Sequence, residues 1–231
     1  MIRVTENLAL IKDLLATAAV EAARDPNTVK LLAVSKKQPV ERILAAAALG
    51  QRDFGENTVQ EGLDKLRATA ETGLRWHFIG HLQSNKTRVV AENFDWVHTI
   101  DKPKTARRLS DQRPDELGPL NVCLQVNIDA EPGKSGVSID GLSELAAACA
   151  ELPRIRLRGL MCLPAVRAGF AAQREPFAKL RQLADALRQE GISTDTLSMG
   201  MSADYRAAIF EGATIVRIGT ALFGERTQAQ E

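Results

Sequence analysis

The sequence lacks an excess of charge of either sign. Its 30 Lys and Arg residues are balanced by 29 Asp and Glu residues, which leaves a formal net charge of +1. A chain without a basic surplus has no long-range field that would attract nucleic acid or an anionic membrane surface, so neither is expected as a partner. It also lacks the long uncharged apolar run that a membrane-spanning helix requires.

Cysteine and histidine are scarce, with three of each. Cys123, Cys149 and Cys162 form no C-x-x-C pair and lie among apolar neighbours, which is typical of core residues in a reducing compartment. His77 and His81 have no acidic or cysteine ligand at metal-binding spacing, so no metal site is predicted. No serine, cysteine and histidine arrangement indicates a nucleophile triad.

The N-terminal segment lacks the pattern of a signal peptide. It carries charges throughout, and its apolar positions follow helical spacing, which predicts an amphipathic helix. Together with the expected reduced cysteines, this helix favours a cytoplasmic protein. The apolar positions are Val4, Leu8, Ile11, Leu15 and Ala22.

Short apolar runs alternate with helical patterns along the chain, and no linker interrupts them. This alternation is typical of repeated strand–helix units around a parallel sheet. We predict an α/β fold, a single (β/α)8 TIM barrel domain over residues 1–231, with the additional N-terminal helix; an open doubly wound sheet is the alternative. The eight predicted strands are 30–35, 53–55, 76–80, 96–100, 121–128, 156–163, 197–201 and 214–219.

The first predicted strand runs into two lysines, in the stretch Leu-Leu-Ala-Val-Ser-Lys-Lys-Gln-Pro at 31–39. In a TIM barrel the functional groups lie where the strands end. Because successive side chains of a strand point in opposite directions, only one of Lys36 and Lys37 can face the mouth, and the alternation favours Lys36. A neutral lysine amine forms Schiff bases with carbonyl compounds, whereas the alternative is a lysine that extends into solvent.

Two segments near the C-terminus, 197–206 and 214–224, each run from a strand through small residues into a helix. Ser202 can cap the first of these helices, while Gly219 and Thr220 let backbone N–H groups approach an anion. TIM barrels often bind phosphate with the loops after strands seven and eight, which is where these segments fall. Helix capping and tight turning without a ligand are the alternative.

Three further polar residues lie at or near predicted strand ends. Arg217 either points inward, where it needs a partner such as a ring nitrogen or phosphate, or covers the outside of the barrel. His77 alternates with apolar neighbours and could face the interior, with a satisfied core histidine as the alternative. Asn57, like Glu56 before it, could cap the next helix or reach a ligand.

Several longer motifs follow one another along nearly the whole chain. The most specific are Trp-His-Phe-Ile-Gly at 76–80 with Leu-Gln-Ser-Asn-Lys at 82–86, and the region from Met199-Gly-Met-Ser202 to Phe223-Gly224. The others are Val-Ser-Lys-Lys-Gln-Pro at 34–39, Phe-Gly-Glu-Asn at 54–57, Gln-Val-Asn at 125–127, Lys-Ser-Gly at 134–136 and Arg-Gly-Leu-Met at 158–161. In this order they resemble the pyridoxal phosphate homeostasis protein family.

The resemblance implies a barrel of the alanine racemase N-terminal type that holds pyridoxal phosphate (PLP) as a Schiff base. The chain departs from the family pattern at Lys37, where the family often has threonine, and this adds a second candidate amine. The matching positions are Lys36 for the Schiff base, Ser202, Gly219 and Thr220 for the phosphate, Arg217 for the pyridine nitrogen, and Asn57 and His77 near the cofactor.

The function that the resemblance implies is vitamin B6 homeostasis, with PLP carried or buffered and no amino acid turned over. An arginine at the pyridine nitrogen disfavours its protonation, which weakens the ring as an electron sink. PLP-dependent apoenzymes are candidate recipients, and we expect a monomer. The alternatives are a racemase-like enzyme, or a lyase or isomerase that forms a Schiff base with a phosphorylated small molecule and uses Glu56 or His77 as acid or base.

Overall fold

Eight short parallel strands form a closed barrel in a computed structural model that describes residues 4–224. Each strand pairs with its neighbour in the sequence, and the last pairs with the first. The predicted TIM barrel is therefore confirmed. The strands are β1 (Lys30–Val34), β2 (Asp53–Glu56), β3 (Arg75–Phe78), β4 (Trp96–Ile100), β5 (Leu120–Val126), β6 (Ile155–Cys162), β7 (Thr196–Ser198) and β8 (Ile215–Ile218).

Helices follow the strands and cover the outside of the barrel. Local sequence sets their limits: Pro39, with a φ of −70°, precedes the second helix, and Gly50, with a φ of +83°, follows it. Within residues 4–224 none of the helices combines the length and apolar character needed to cross a bilayer. The helices are α1 (Val4–Glu21), α2 (Val40–Ala48), α3 (Val59–Ala68), α4 (Thr87–Asn93), α5 (Pro103–Gln112), α6 (Leu142–Ala150), α7 (Phe170–Gln189), α8 (Tyr205–Phe210) and α9 (Thr220–Phe223).

The predicted N-terminal helix is present as α1. Its apolar stripe, which includes Leu8, Ile11 and Leu15, is buried. The helix packs against α2, α8 and α9, which flank the place where β8 pairs with β1. The additional helix therefore covers the seam at which the barrel closes.

The apolar core lies mainly between the barrel and the helices. One large cluster of buried residues joins residues of the strands, such as Phe54 and Val216, to the apolar faces of the helices. A small separate cluster consists of Trp96, Cys123 and Met161. Buried polar side chains, described below, occupy the interior of the barrel.

The cysteines are expected to be unreactive in the folded protein. All three are free and buried, and burial raises the pKa of each thiol to about 12. Because the thiolate is the reactive form, Ellman's reagent at about pH 8 should label none of them before unfolding and all three in denaturant. A thiol that reacts rapidly under native conditions would contradict this expectation.

Candidate functional site

A cavity of about 450 Å³ opens at the C-terminal mouth of the barrel, where the strands end. Its volume lies within the usual range of small-molecule sites. Its wall is partly apolar, with Ile79, Met161 and Leu163 among the lining residues. Six of the seven candidate residues also line it: Lys36, Asn57, Ser202, Arg217, Gly219 and Thr220.

Lys36 lies in a turn after β1, and not in the strand itself. The strand ends at Val34, and residues 35–38, which we call the lysine turn, lead from it to α2. Within this turn the Gln38 N–H donates a hydrogen bond to the Ser35 carbonyl oxygen at 3.0 Å. The strand alternation used above therefore does not decide between the two lysines. The turn does: Lys37 has a φ of +57° and is exposed, whereas Lys36 is half-buried and lines the cavity.

A buried ionic cluster holds the lysine turn in place. Lys65 Nζ on α3 donates hydrogen bonds to Ser35 O at 2.6 Å, Glu56 Oε1 at 2.8 Å and Glu61 Oε1 at 2.6 Å. The Ser35 hydroxyl donates to Glu56 Oε1, and the Lys37 N–H donates to the Glu61 carboxylate. Burial raises the pKa of Glu56, although the hydrogen bond from Lys65 opposes this. The sequence alone did not predict this cluster, although the i, i+4 spacing of Glu61 and Lys65 is the signal in it that could have indicated an ion pair on a helix.

Arg217 points into the barrel, which decides between the two orientations considered above. Its side chain is 5% exposed, and it lines the base of the cavity. Nη1 donates to Ser198 Oγ at 2.7 Å, and Nη2 donates to the Cys162 carbonyl oxygen at 2.9 Å. Burial lowers the pKa of Arg217, but a guanidinium keeps its proton at neutral pH, so the cavity contains a fixed positive charge.

Ser202 does not cap a helix, and that expectation was wrong. Helix α8 begins only at Tyr205, and Asp204 is its N-cap residue. The Asp204 Oδ1 accepts a hydrogen bond from the Met201 N–H at 2.6 Å, which closes the loop between β7 and α8. This loop places Ser202, which is exposed, at the rim of the cavity.

Gly219 and Thr220 connect β8 to the short helix α9. A Cβ atom on Gly219 would lie 3.0 Å from the Val34 carbonyl oxygen, so glycine allows the loop to pack closely against β1. Thr220 is exposed and is the first residue of α9. The N–H groups of the first helical turn have no acceptor within the helix, so those of Thr220 and Ala221 are available to a ligand at the cavity rim.

Asn57 follows β2 and lies directly against the loop after β3. The ideal Cβ position on Gly80 would be 2.0 Å from the Asn57 carbonyl oxygen. Both residues line the cavity. Only a glycine at position 80 lets these two loops approach so closely.

Replacing Gly80 by alanine is therefore expected to destabilise the protein by about 1–3 kcal/mol, the usual cost of overpacking. Urea unfolding measures the change in the free energy of unfolding. Gly141→Ala is the control, because its φ is −87° and the nearest atom to its Cβ would be 3.3 Å away. Equal unfolding midpoints for Gly80→Ala and the wild type would contradict the argument.

His77 lies apart from the other six candidates. It lines a second cavity, of about 230 Å³, at the N-terminal mouth of the barrel, together with Asp53 and Arg75. Its Nε2 is 3.1 Å from Asp53 Oδ1, and its Nδ1 is 2.9 Å from His98 Nε2. The His77 side chain faces the interior of the barrel, but it lies nearer the N-terminal mouth and does not line the first cavity. Its position therefore does not match the expected place near the cofactor.

Comparisons with known proteins agree with this architecture. The alanine racemase N-terminal domain family matches residues 10–227. The pyridoxal phosphate homeostasis protein of Escherichia coli (strain K12) is 53% identical over an alignment of 236 positions, which covers 99% of each chain. The protein of the same name from Pseudomonas aeruginosa is 54% identical over 226 residues, 98% of this chain and 97% of the relative.

A solved structure gives the same result. PipY of Synechococcus elongatus PCC7942, with PLP bound, superposes with a TM-score of 0.80 at 37% sequence identity. The match covers 91% of this chain and 100% of PipY. By sequence over nearly its full length and by fold, the chain thus belongs to the pyridoxal phosphate homeostasis protein family, on a barrel of the alanine racemase N-terminal type.

Proposed function

We propose that this protein binds PLP at the C-terminal mouth of the barrel and takes part in vitamin B6 homeostasis by carrying or buffering this cofactor. One observation carries the proposal: a single cavity is lined by the amine of Lys36, the buried guanidinium of Arg217, and the hydroxyl groups of Ser202 and Thr220. The names of the relatives and the PLP bound to PipY support it.

The lining residues fit the chemistry of PLP. When bound, PLP supplies an aldehyde, a phosphate and an electron-accepting pyridine ring. Lys36 offers a primary amine for the aldehyde. At the rim, the hydroxyls of Ser202 and Thr220 and the N–H groups of the first turn of α9 offer uncharged donors for the phosphate. At the base, Arg217 offers donors for the ring nitrogen.

Lys36 is the residue that would hold PLP covalently, because its primary amine could form a Schiff base with the aldehyde that PLP supplies. The cluster around Lys65 keeps the lysine turn in place for this bond. Asn57, packed against Gly80, forms part of the cavity wall. In any hydrogen bond to the ring nitrogen Arg217 would remain the protonated donor, because a guanidinium is not deprotonated in proteins.

The positions of the acidic and basic groups favour a carrier over an enzyme. A carbanion reaction needs a positioned acid or base near the amine. Glu56 was one candidate, but it is fully buried and bonded to Ser35 and Lys65, between the barrel and α3. His77 was the other, and it lines the opposite mouth. Arg217 at the ring nitrogen further weakens the ring as an electron sink.

Borohydride reduction of the PLP-saturated protein, followed by peptide mass mapping, tests the proposal. We expect a pyridoxyl adduct on Lys36 and none on Lys37, which is exposed and does not line the cavity. Unmodified protein would refute PLP binding through a Schiff base. Steady racemisation or decarboxylation of an amino acid above the background of free PLP would refute the carrier role in favour of a racemase-like enzyme.

We infer a single PLP-binding domain over residues 1–231 that acts in the cytoplasm as a monomer and passes PLP to PLP-dependent apoenzymes. Recovery of activity by an apoenzyme, faster with the PLP-loaded protein than with an equal concentration of free PLP, would support direct transfer. Equal rates would mean that the protein only buffers the free cofactor.

A further inference from the structure

The interior of the barrel contains a continuous row of polar side chains that joins the second cavity to Arg217. At the N-terminal end, Asp53 Oδ1 lies 3.1 Å from His77 Nε2, and His77 Nδ1 lies 2.9 Å from His98 Nε2. Next, His98 Nδ1 lies 2.8 Å from Ser198 Oγ, which lies 2.7 Å from Arg217 Nη1. We call these five residues the polar row. They come from β2, β3, β4, β7 and β8, so the row crosses the barrel.

Both ends of the polar row have a fixed hydrogen-bonding role. Arg217 can only donate, because a guanidinium has no acceptor. Asp53 is held by Arg75, whose Nε and Nη2 donate to its two oxygens at 2.8 Å and 2.6 Å. Burial would raise the pKa of Asp53, but the hydrogen bonds from Arg75 and His77 outweigh it and hold the pKa well below its usual value. Asp53 is therefore an ionised group that can only accept.

These two ends determine every proton position between them. Ser198 Oγ accepts from Arg217, so its own hydrogen is free to donate to His98 Nδ1. His98 must then carry its proton on Nε2 and donate to His77 Nδ1. His77 in turn carries its proton on Nε2 and donates to Asp53. All four bonds run in one direction, with two neutral imidazoles of the same tautomer.

The opposite direction is inconsistent with the neutral state of the row. If His98 Nδ1 donated to Ser198, then His98 Nε2 would need a proton from His77 Nδ1. A neutral His77 would then present a bare nitrogen to the Asp53 carboxylate, 3.1 Å away. Burial lowers the pKa of both histidines, which disfavours the protonated His77 that would remove this conflict.

We propose that Ser198, His98, His77 and Asp53 are positioning residues that hold the Arg217 guanidinium in the cofactor cavity through a hydrogen-bond chain of one direction. This role rests on the proposed function, since it concerns the group that would face the pyridine nitrogen. These hydrogen bonds orient Arg217 and do not move protons to it, because arginine can neither lose a proton nor take up another.

Packing holds the His77 ring, in the middle of the polar row, in its orientation. The His77 ring stacks on Trp96, with centroids 5.3 Å apart and planes 9° apart. Arg158 covers Trp96 at 4.9 Å from the ring centroid. A buried ring stacked on one face in this way has little freedom to turn, so its two nitrogens stay aligned with Asp53 and His98.

The proton positions can be measured on the protein without cofactor. In ¹⁵N-histidine NMR spectra at neutral pH, His77 and His98 are expected to be neutral, with the proton on Nε2 and bare Nδ1. The exposed third histidine, His81, provides the internal reference. A proton on Nδ1 of either buried ring would overturn the proposed direction, whatever the protein does with PLP.

The effect on the cofactor site is measured by PLP titration of matched variants. Ser198→Ala removes an acceptor from a charged donor, and we expect PLP to bind about tenfold more weakly. Ser198→Thr keeps the hydroxyl and should recover most of the affinity. The control is Ser110→Ala, which removes another buried serine hydroxyl, one that accepts a hydrogen bond from the Arg154 N–H outside the barrel. It should leave PLP binding unchanged.

Asp53→Asn tests the far end of the row. An amide can donate as well as accept, so it no longer requires one direction, and both histidine tautomers should be present in the NMR spectra. PLP binding should weaken by about threefold, although position 53 lines the other cavity. If wild-type protein binds PLP and both Ser198→Ala and Asp53→Asn bind it equally well, the positioning role is refuted. If the wild type fails to bind PLP, the proposed function is refuted. The NMR result alone then tests whether the hydrogen bonds of the polar row run in the proposed direction.

Discussion

Replacing Lys36 by methionine is expected to abolish the near-ultraviolet to visible absorption of a lysine Schiff base and the adduct formed on borohydride reduction. Methionine keeps an unbranched side chain of similar length but has no amine, so only noncovalent contacts to PLP remain. Arg217, Ser202 and Thr220 still line the cavity in this variant. Weak binding should therefore persist, visible as quenching of intrinsic fluorescence at high PLP concentration.

The matched control is Lys37→Met. Lys37 has the same chemistry, but it is exposed and turned away by its left-handed backbone conformation. We expect this variant to retain the absorption band, the borohydride adduct and the wild-type affinity. If instead Lys37→Met lost the band and Lys36→Met kept it, the assignment of the cavity amine would be wrong.

The second large effect is expected for Lys65→Met. The Lys65 side chain is 6% exposed and its partner Glu56 is fully buried, so removing the amine leaves an uncompensated carboxylate inside the protein. Breaking a buried pair in this way usually costs about 3–5 kcal/mol in the free energy of unfolding. Urea unfolding of the variant should show a loss of this size.

The double variant Glu56→Gln with Lys65→Met separates charge from packing. Glutamine at position 56 has no charge to bury, so it should recover a substantial part of the stability lost in the single variant. The Ser35 carbonyl and the lysine turn would still lack their partner, Lys65 Nζ. PLP binding should therefore remain weaker than in the wild type even where stability is regained. Full recovery of binding would mean that Lys65 does not position the turn.

A substitution that destabilises the variant could also lower its affinity for PLP indirectly. Thr69→Val serves as a control for this, because Thr69 is the buried residue directly after α3 and its hydroxyl donates a hydrogen bond to the Lys65 carbonyl oxygen, not to the Lys65 amine. It removes a buried hydrogen bond and should cost about 1 kcal/mol. PLP affinity at a temperature well below unfolding should stay at the wild-type value.

Much of the architecture could be predicted from local patterns. Short apolar runs identified the eight strands and helical spacing identified α1, because a strand of a parallel barrel is buried on both faces and an outer helix on one. The barrel count then placed Lys36, Ser202, Gly219 and Thr220 at one mouth, since parallel strands bring their ends to the same face. The family resemblance added the expected ligand and the role of each matching residue toward it.

Other features depend on contacts between residues distant in the sequence. The choice between Lys36 and Lys37 follows from a turn held by α3, not from strand alternation. Ser202 was expected to cap a helix, but α8 begins only at Tyr205, so Asp204 is its N-cap residue. His77 faces the interior, as considered, and its ring nitrogens lie close to Asp53 and His98, as in the alternative of a satisfied core histidine. Its level along the barrel axis could not be read from the residue pattern.

The sequence by itself determined the barrel, its outer helix and the residues gathered at its C-terminal mouth, because these follow from local apolar patterns and from where each residue lies relative to the end of its strand. Only the tertiary structure decided the inward orientation of Arg217, the cluster beneath the lysine turn and the polar row from Asp53 to Ser198. Each of these joins side chains from different strands or helices. Their hydrogen bonds form only when barrel closure brings those elements within about 3 Å of one another, a distance that sequence spacing does not encode.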